Sequence, residues 1–322
     1  MEPMIGAALE SDLDLSVELG ALRLRNPIIA ASGCYNRGAE FGRIMDVGAY
    51  GAVTLKSVTR EPRLGNEMPR LLSTPGGLLN AIGLQGPGIA YFLEHEAPKL
   101  QSVPTAVIAS VAGFSVGEFA EVASRMDGIP GIVAIELDVS CPNVDAEGAC
   151  FAEDPSSTAA VVEAVKARVT KVPIIAKLTP NVSDIKPVAR AAEAAGADAL
   201  SLINSLRGMS VDVDRARPWL ANSSGGLTGP AIRPIGVYHV WQAATAVKIP
   251  IIGMGGIENG RDALEYLMAG ATAISIGTAN FRDPLAPLHV GESIAAELRK
   301  RSFTRVRSLT GMANPDFAGV RA

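Results

Sequence analysis

Ile132-Val133-Ala134-Ile135-Glu136-Leu137-Asp138-Val139-Ser140-Cys141-Pro142-Asn143 changes character half-way along. It opens as an apolar strand and closes on polar residues that a core would not choose. A thiol comes next, then a proline that has no N–H to continue a ladder, then an amide. Side chains that do chemistry concentrate where parallel strands give way to loops. Cys141 stands at such a point, and the rest of the chain is read outward from it.

Short apolar runs like Ile132 to Leu137 recur along the chain. They fall at Pro27 to Ala31, Gly51 to Lys56, Ala106 to Ser110, Pro173 to Lys177, Ala199 to Ile203, Pro250 to Gly253 and Ala273 to Ile276. Helix-like stretches lie between them, among them Ser115 to Met126, Pro155 to Val169, Asp184 to Ala195 and Gly260 to Ala269. The alternation gives about eight strand–helix units, the number in a (β/α)8 TIM barrel. A doubly wound sheet is the alternative, but its glycine fingerprint is missing after the first strand.

Before the first unit, residues 15–25 alternate apolar and charged about Gly20-Ala21, which predicts a hairpin closing the bottom of the barrel. Two connections, Ser57 to Gly88 and Ser205 to Gly229, are too long for plain turns. Connections of that length in a compact domain usually act as lids or binding loops, and both follow strands. No boundary interrupts Asn26 to Phe281, so one domain is expected over 1–322: hairpin, barrel over about 26–300, and a tail over 301–322.

Composition narrows the function. The 322 residues are 48% hydrophobic and only 5% aromatic, with 33 glycines, which suits repeated short strands and tight turns. A net charge of −4 leaves no basic footprint for nucleic acid. Pro104 and Gly113 break the best apolar run before it reaches membrane-spanning length. Met1 to Asp14 is acidic and does not read as a signal peptide, so a cytoplasmic location is expected. Three cysteines are too few for a disulfide framework or for the four thiolates of an iron–sulfur cluster.

Four groups of residues could carry chemistry. A free cysteine is more often a small buried hydrophobe than a catalyst. The strand-end position of Cys141 reverses that weighting, because a thiol with an ordinary pKa of about 8.5 can serve as a general base. The three histidines, His95, His239 and His289, fall in helical stretches, which argues against a Cys–His hydrolase and a histidine metal site. Lys56 and Lys177 both end strands; two cations at the barrel mouth imply an anionic ligand. Gly253-Met254-Gly255-Gly256 and Gly277-Thr278 follow the seventh and eighth strands, where such barrels bind phosphate, so a mononucleotide is expected. Asn80, Asn143, Asn204 and Ser205 could read the edges of a planar polar substrate, although isolated asparagines usually serve turns.

Together these pieces resemble the dihydroorotate dehydrogenases, flavin barrels of pyrimidine biosynthesis. Asn80-Ala81-Ile82-Gly83-Leu84-Gln85, Ser140-Cys141-Pro142-Asn143-Val144 and Gly277-Thr278-Ala279-Asn280-Phe281 look like the NAD-linked, two-subunit branch (class 1B). The resemblance implies that Cys141 takes the proton from C5 of dihydroorotate while C6 passes a hydride to N5 of FMN. It implies that Lys56 faces flavin and substrate, and that Asn80, Ala81, Ile82, Gly83, Leu84, Asn143, Asn204 and Ser205 hold the substrate. Ser32, Ser57, Lys177, Ile203, Gly229, Gly255, Gly256, Gly277 and Thr278 would hold FMN, the last four at its phosphate. The branch further implies a homodimer, or a heterotetramer with a subunit that carries FAD and a [2Fe–2S] cluster and delivers electrons to NAD.

Three positions depart from that pattern. Asp138 and Ser110, both expected against the flavin, stand where the family has asparagine, and Gly86 replaces another asparagine. Asp138 matters most, since its counterpart also touches the substrate. An ionised carboxylate about 4 Å from the orotate carboxylate would cost on the order of 4 kcal/mol at an effective dielectric near 20. Either Asp138 is protonated or paired with a lysine such as Lys177, or the site suits a neutral dihydropyrimidine, or activity is weakened.

Overall fold

The computed structural model describes residues 12–35, 46–140 and 151–319. Eight parallel strands close into a barrel: β1 (Ile28–Ala30), β2 (Ala52–Thr54), β3 (Ala106–Val111), β4 (Ile132–Leu137), β5 (Ile174–Lys177), β6 (Ala199–Leu202), β7 (Ile251–Met254) and β8 (Ala273–Ile276). Each is an apolar run expected from the sequence, and each pairs with its neighbours in chain order. β8 returns to β1 through Ser275 opposite Ile29, and β5 meets β6 through Lys177 opposite Ser201. Strands covered on the inside by barrel side chains and outside by helices are buried on both faces, so their sequences are predominantly apolar.

Among the described residues, six longer helices surround the barrel: α1 (Val116–Met126), α2 (Pro155–Lys166), α3 (Lys186–Ala194), α4 (Arg233–Ala244), α5 (Gly260–Ala269) and α6 (Ala286–Lys300). Polar caps start several of them. Ser115, Asp154 and Asn259 each accept a hydrogen bond from a backbone N–H of the first turn, of Glu118, Ser157 and Asp262 respectively. Pro155 stands in the first turn of α2, where its missing N–H would have no partner anyway. The sequence did not single out α4, because Val237, Tyr238, Val240 and Trp241 spread apolar residues around it and leave no clear stripe. His95, His239 and His289 all lie in helical turns, as read.

The hairpin pairs Val17–Leu19 with Leu22–Leu24. Its turn rests on Asp198, the residue before β6, so it sits at the N-terminal end of the barrel as expected. The two long connections do more than cover the opposite end. Their strands Leu71–Thr74, Gly77–Asn80, Ser224–Thr228 and Leu206–Met209 join into one antiparallel sheet, with Asn80 opposite Gly226. Pairings between segments so far apart in sequence have no local signature, and glycines blur the alternation that would mark them. Among the described residues, no helix is long and apolar enough to cross a membrane.

Candidate active site

Two hollows open at the C-terminal ends of the barrel strands and share Cys34 in their walls. The narrower is a slot of about 100 Å³ between the turns that follow β6, β7 and β8. The wider, about 410 Å³, lies beside the loop after β2 and falls within the usual size of a small-molecule site, about 300–1,000 Å³.

Ten of the residues expected at the cofactor or substrate line the slot. They are Ser32, Lys177, Ile203, Asn204, Ser205, Gly229, Gly255, Gly256, Gly277 and Thr278. The turns are packed so tightly that side chains would close them. Gly256 has φ +69°, and a methyl group there would lie 2.6 Å from the carbonyl oxygen of Gly229. Gly277 is less confined: a methyl there would make ordinary contact, 3.4 Å from both Ala31 Cβ and Cys34 Sγ. Tyr266, buried in α5, fixes the turn after β7 by donating its hydroxyl to Gly255 O at 2.7 Å. The same turn is anchored by Asp262, which pairs with Arg233 and accepts the N–H of Glu258.

Lys177 enters the slot from the end of β5. Its ammonium lies 3.5 Å from Glu136 Oε1, and both side chains are almost fully buried. Desolvation opposes its charge, but Glu136 first and Asp138 second hold it protonated, above the ordinary lysine value. Cys34 is raised as well, but by desolvation. Burial pushes its thiol up to about 11, and the nearby cations Lys177 and Lys56 offset only part of that rise. Lys56 lies in the wider hollow with Ser57, its side chain running past Gly33.

Behind both hollows runs a buried polar network. The Ser57 hydroxyl lies 2.9 Å from Ser110 Oγ and donates to Asp138 Oδ2 at 3.2 Å. Ser57 has one hydroxyl proton and gives it to Asp138, so Ser110 donates to Ser57. Asp138 Oδ1 accepts from the Ser140 hydroxyl at 3.1 Å and from Asn204 Nδ2 at 3.2 Å. Asn204 Oδ1 in turn accepts the N–H of Ser205 at 2.7 Å. Asp138 therefore rests on neutral donors, and the ion pair expected with Lys177 is made by Glu136 instead. Ser110 and Asp138, expected against the flavin, line neither hollow; they are hydrogen-bonded to Ser57, Ser140 and Asn204 behind them.

Asn80, Ala81, Ile82, Gly83 and Leu84 line neither hollow as the described residues form it. Asn80 Nδ2 donates to Gly226 O at 3.1 Å, Ala81 is buried, and the following Gln85 and Gly86 reach the wider hollow. Cys141 and Asn143 lie outside the described residues. The network nevertheless ends at Ser140, the residue before Cys141. Sequence reading assigned no role to Glu136 or Cys34. An acidic residue inside the otherwise apolar run Ile132 to Leu137 was the available signal for Glu136.

Residues 14–298 match the family model described as dihydroorotate dehydrogenase. The chain belongs to the dihydroorotate dehydrogenase family. Its relatives include a protein of Trichlorobacter lovleyi named dihydroorotate dehydrogenase B (NAD(+)), catalytic subunit, 49% identical over 297 residues, which are 92% of this chain and 97% of that one. Proteins of the same name from Citrifermentans bemidjiense and Desulforudis audaxviator are 48% and 47% identical, over 92% and 93% of this chain and 97% of each relative. The dihydroorotate dehydrogenase family is one of oxidoreductases, and the barrel with its glycine-lined mouth is the architecture its resemblance implied.

Proposed function

We propose that this chain oxidises dihydroorotate to orotate in pyrimidine biosynthesis, with Cys141 as the general base and FMN held with its phosphate in the slot. The observation that carries the reading is the convergence of bare glycine turns, the buried Lys177 cation and the network ending at Ser140 on one barrel mouth. The residues present fit FMN. Gly255, Gly256 and Gly277 leave backbone exposed where a phosphate must approach closely, and Thr278 follows with a hydroxyl. The buried Ser275 hydroxyl, which has no hydrogen-bond partner among the described residues, lines the same slot.

Bound there, FMN would supply the acceptor for the hydride leaving C6. The chain's own residues do the remainder. Asp138 and Asn204 fix Ser140, and through it the start of the segment that bears Cys141. Cys141 removes the proton from C5, and Lys56 presents a cation to the substrate carboxylate in the wider hollow. Asn204 and Ser205 orient the pyrimidine ring, together with Asn143 and the segment Asn80 to Leu84.

Electrons pass onward to NAD through a partner subunit with FAD and a [2Fe–2S] cluster. The name of the relatives, a catalytic subunit, supports a partner, and three cysteines cannot build a four-thiolate cluster here. A homodimeric core of such a heterotetramer is part of the same reading.

The test is anaerobic reduction of the FMN-loaded protein, followed near 450 nm. Dihydroorotate should bleach the flavin with formation of orotate, and Cys141→Ala should slow the bleaching by about 10²–10⁴-fold, the usual worth of a general base. A second reading has one specific support, the buried carboxylate of Asp138. Under it the substrate is a neutral dihydropyrimidine, and dihydrouracil bleaches the flavin while dihydroorotate does not.

A further inference from the structure

We propose that Glu136 is a positioning residue that holds the Lys177 ammonium at the flavin slot and balances its charge, so setting how strongly the site favours reduced flavin. The inference rests on the reading of the slot as an FMN site. Three neighbouring strands build the arrangement. Glu136 comes from β4, Lys177 from β5 and Ser201 from β6, and the strand register brings Lys177 opposite Ser201. Ser201 donates its hydroxyl to Glu136 Oε2 at 2.9 Å, which turns the other oxygen, Oε1, toward Lys177 Nζ.

Oε1 stands 3.5 Å from the ammonium and accepts no hydrogen bond among the described residues. That is an ion-pair distance rather than a full hydrogen bond, which for N–H···O runs to about 3.2 Å. A lysine ammonium has three donors, so its N–H groups remain available to an acceptor in the slot. A carboxylate buried inside an apolar barrel is expensive unless it is paired, and this one sits beside a cation that lines the slot. Reduced flavin carries more negative charge than oxidised flavin, so a cation at the slot favours the reduced form. A partnering carboxylate tempers that preference.

The experiment uses the full chain loaded with FMN and measures the flavin midpoint potential in a double-mutant cycle. Glu136→Gln removes the balancing charge and should move the reduced-to-oxidised preference at least tenfold toward reduced flavin, about 30 mV for a two-electron couple. Lys177→Met should move it the other way. Glu136→Gln in the Lys177→Met background should change it much less. A Glu136→Gln potential that is unchanged or lower, or one that shifts equally in both backgrounds, overturns the proposal.

Melting of the FMN-free protein gives an arm independent of the flavin. Each single variant strands one buried charge, so both should melt lower than the double variant, which strands none. Additive losses would overturn the pairing. If Glu136→Gln retains no flavin, recovery of fold and flavin by the double variant supports the proposal, and failure to recover overturns it. A wild-type chain that binds no FMN sinks the flavin reading, while the melting arm still decides whether the pair is coupled.

Discussion

Asp138 is where a single atom type changes the expected chemistry. Its two oxygens take three neutral donors, from Ser57, Ser140 and Asn204. An ionised carboxylate there would repel an anionic substrate. Asp138→Asn should therefore strengthen binding of orotate tenfold or more and leave dihydrouracil unaffected, measured by flavin spectral titration. That is a conservative fraction of the roughly 4 kcal/mol that two unit charges exchange at about 4 Å. Cys34 supplies a second prediction at this scale. With its thiol pushed up to about 11, it should alkylate slowly at neutral pH, and its rate should climb as pH rises toward that value. Peptide mapping after iodoacetamide treatment separates it from the other two cysteines. Fast labelling of Cys34 at pH 7 would show that the thiol is not desolvated as described.

At the scale of elements, the site depends on turns and a small sheet more than on the barrel. Gly77 has φ +147°, and a methyl group there would stand 1.8 Å from the carbonyl oxygen of Thr228. Gly77→Ala should separate Gly77–Asn80 from Ser224–Thr228 and raise the KM for substrate while the barrel still folds. Unchanged KM with unchanged melting would mean that the sheet does not shape the site. Gly256→Ala acts on the other wall. Left-handed backbone costs an L-residue about 1–2 kcal/mol, and the contact with Gly229 adds to that. FMN retention should fall in that variant, as read by the flavin lost on dialysis.

The whole molecule is tied together at its far end. Asn314 is fully buried and donates to the carbonyl oxygens of Trp241 and Ala269, joining the tail to the ends of α4 and α5. Asn314→Ala leaves those acceptors without a donor and should cost about 1–3 kcal/mol, seen in denaturant unfolding with catalysis per folded molecule intact. A loss below about 0.5 kcal/mol would show that the tail is only loosely docked. His239, buried in α4, gives the pH dependence. Desolvation lowers its pKa, so between the folded value and the unfolded value near 6.5 the unfolded chain binds more protons. Stability is then complete above about 6.5 and falls as pH drops through that window. His239→Gln should flatten the fall in melting temperature between pH 7.5 and 5.5.

The barrel was legible because each of its strands is a mostly apolar run of the length that a doubly covered strand needs. The glycines after β7 and β8 and the two strand-end lysines were legible for a related reason: residues unsuited to a core stood where core strands end. The small sheet, the tail's docking and the partner of Lys177 were not. Asn80 meets Gly226, Trp241 meets Asn314, and Ser201 meets Glu136, each across more than fifty residues of chain. Local pattern reports which residues an element buries, but pairings across the barrel follow from closure, register and the need to satisfy every buried charge. The sequence by itself determined the barrel and the ends of its strands; only the tertiary structure decided that Glu136, not Asp138, faces the Lys177 ammonium.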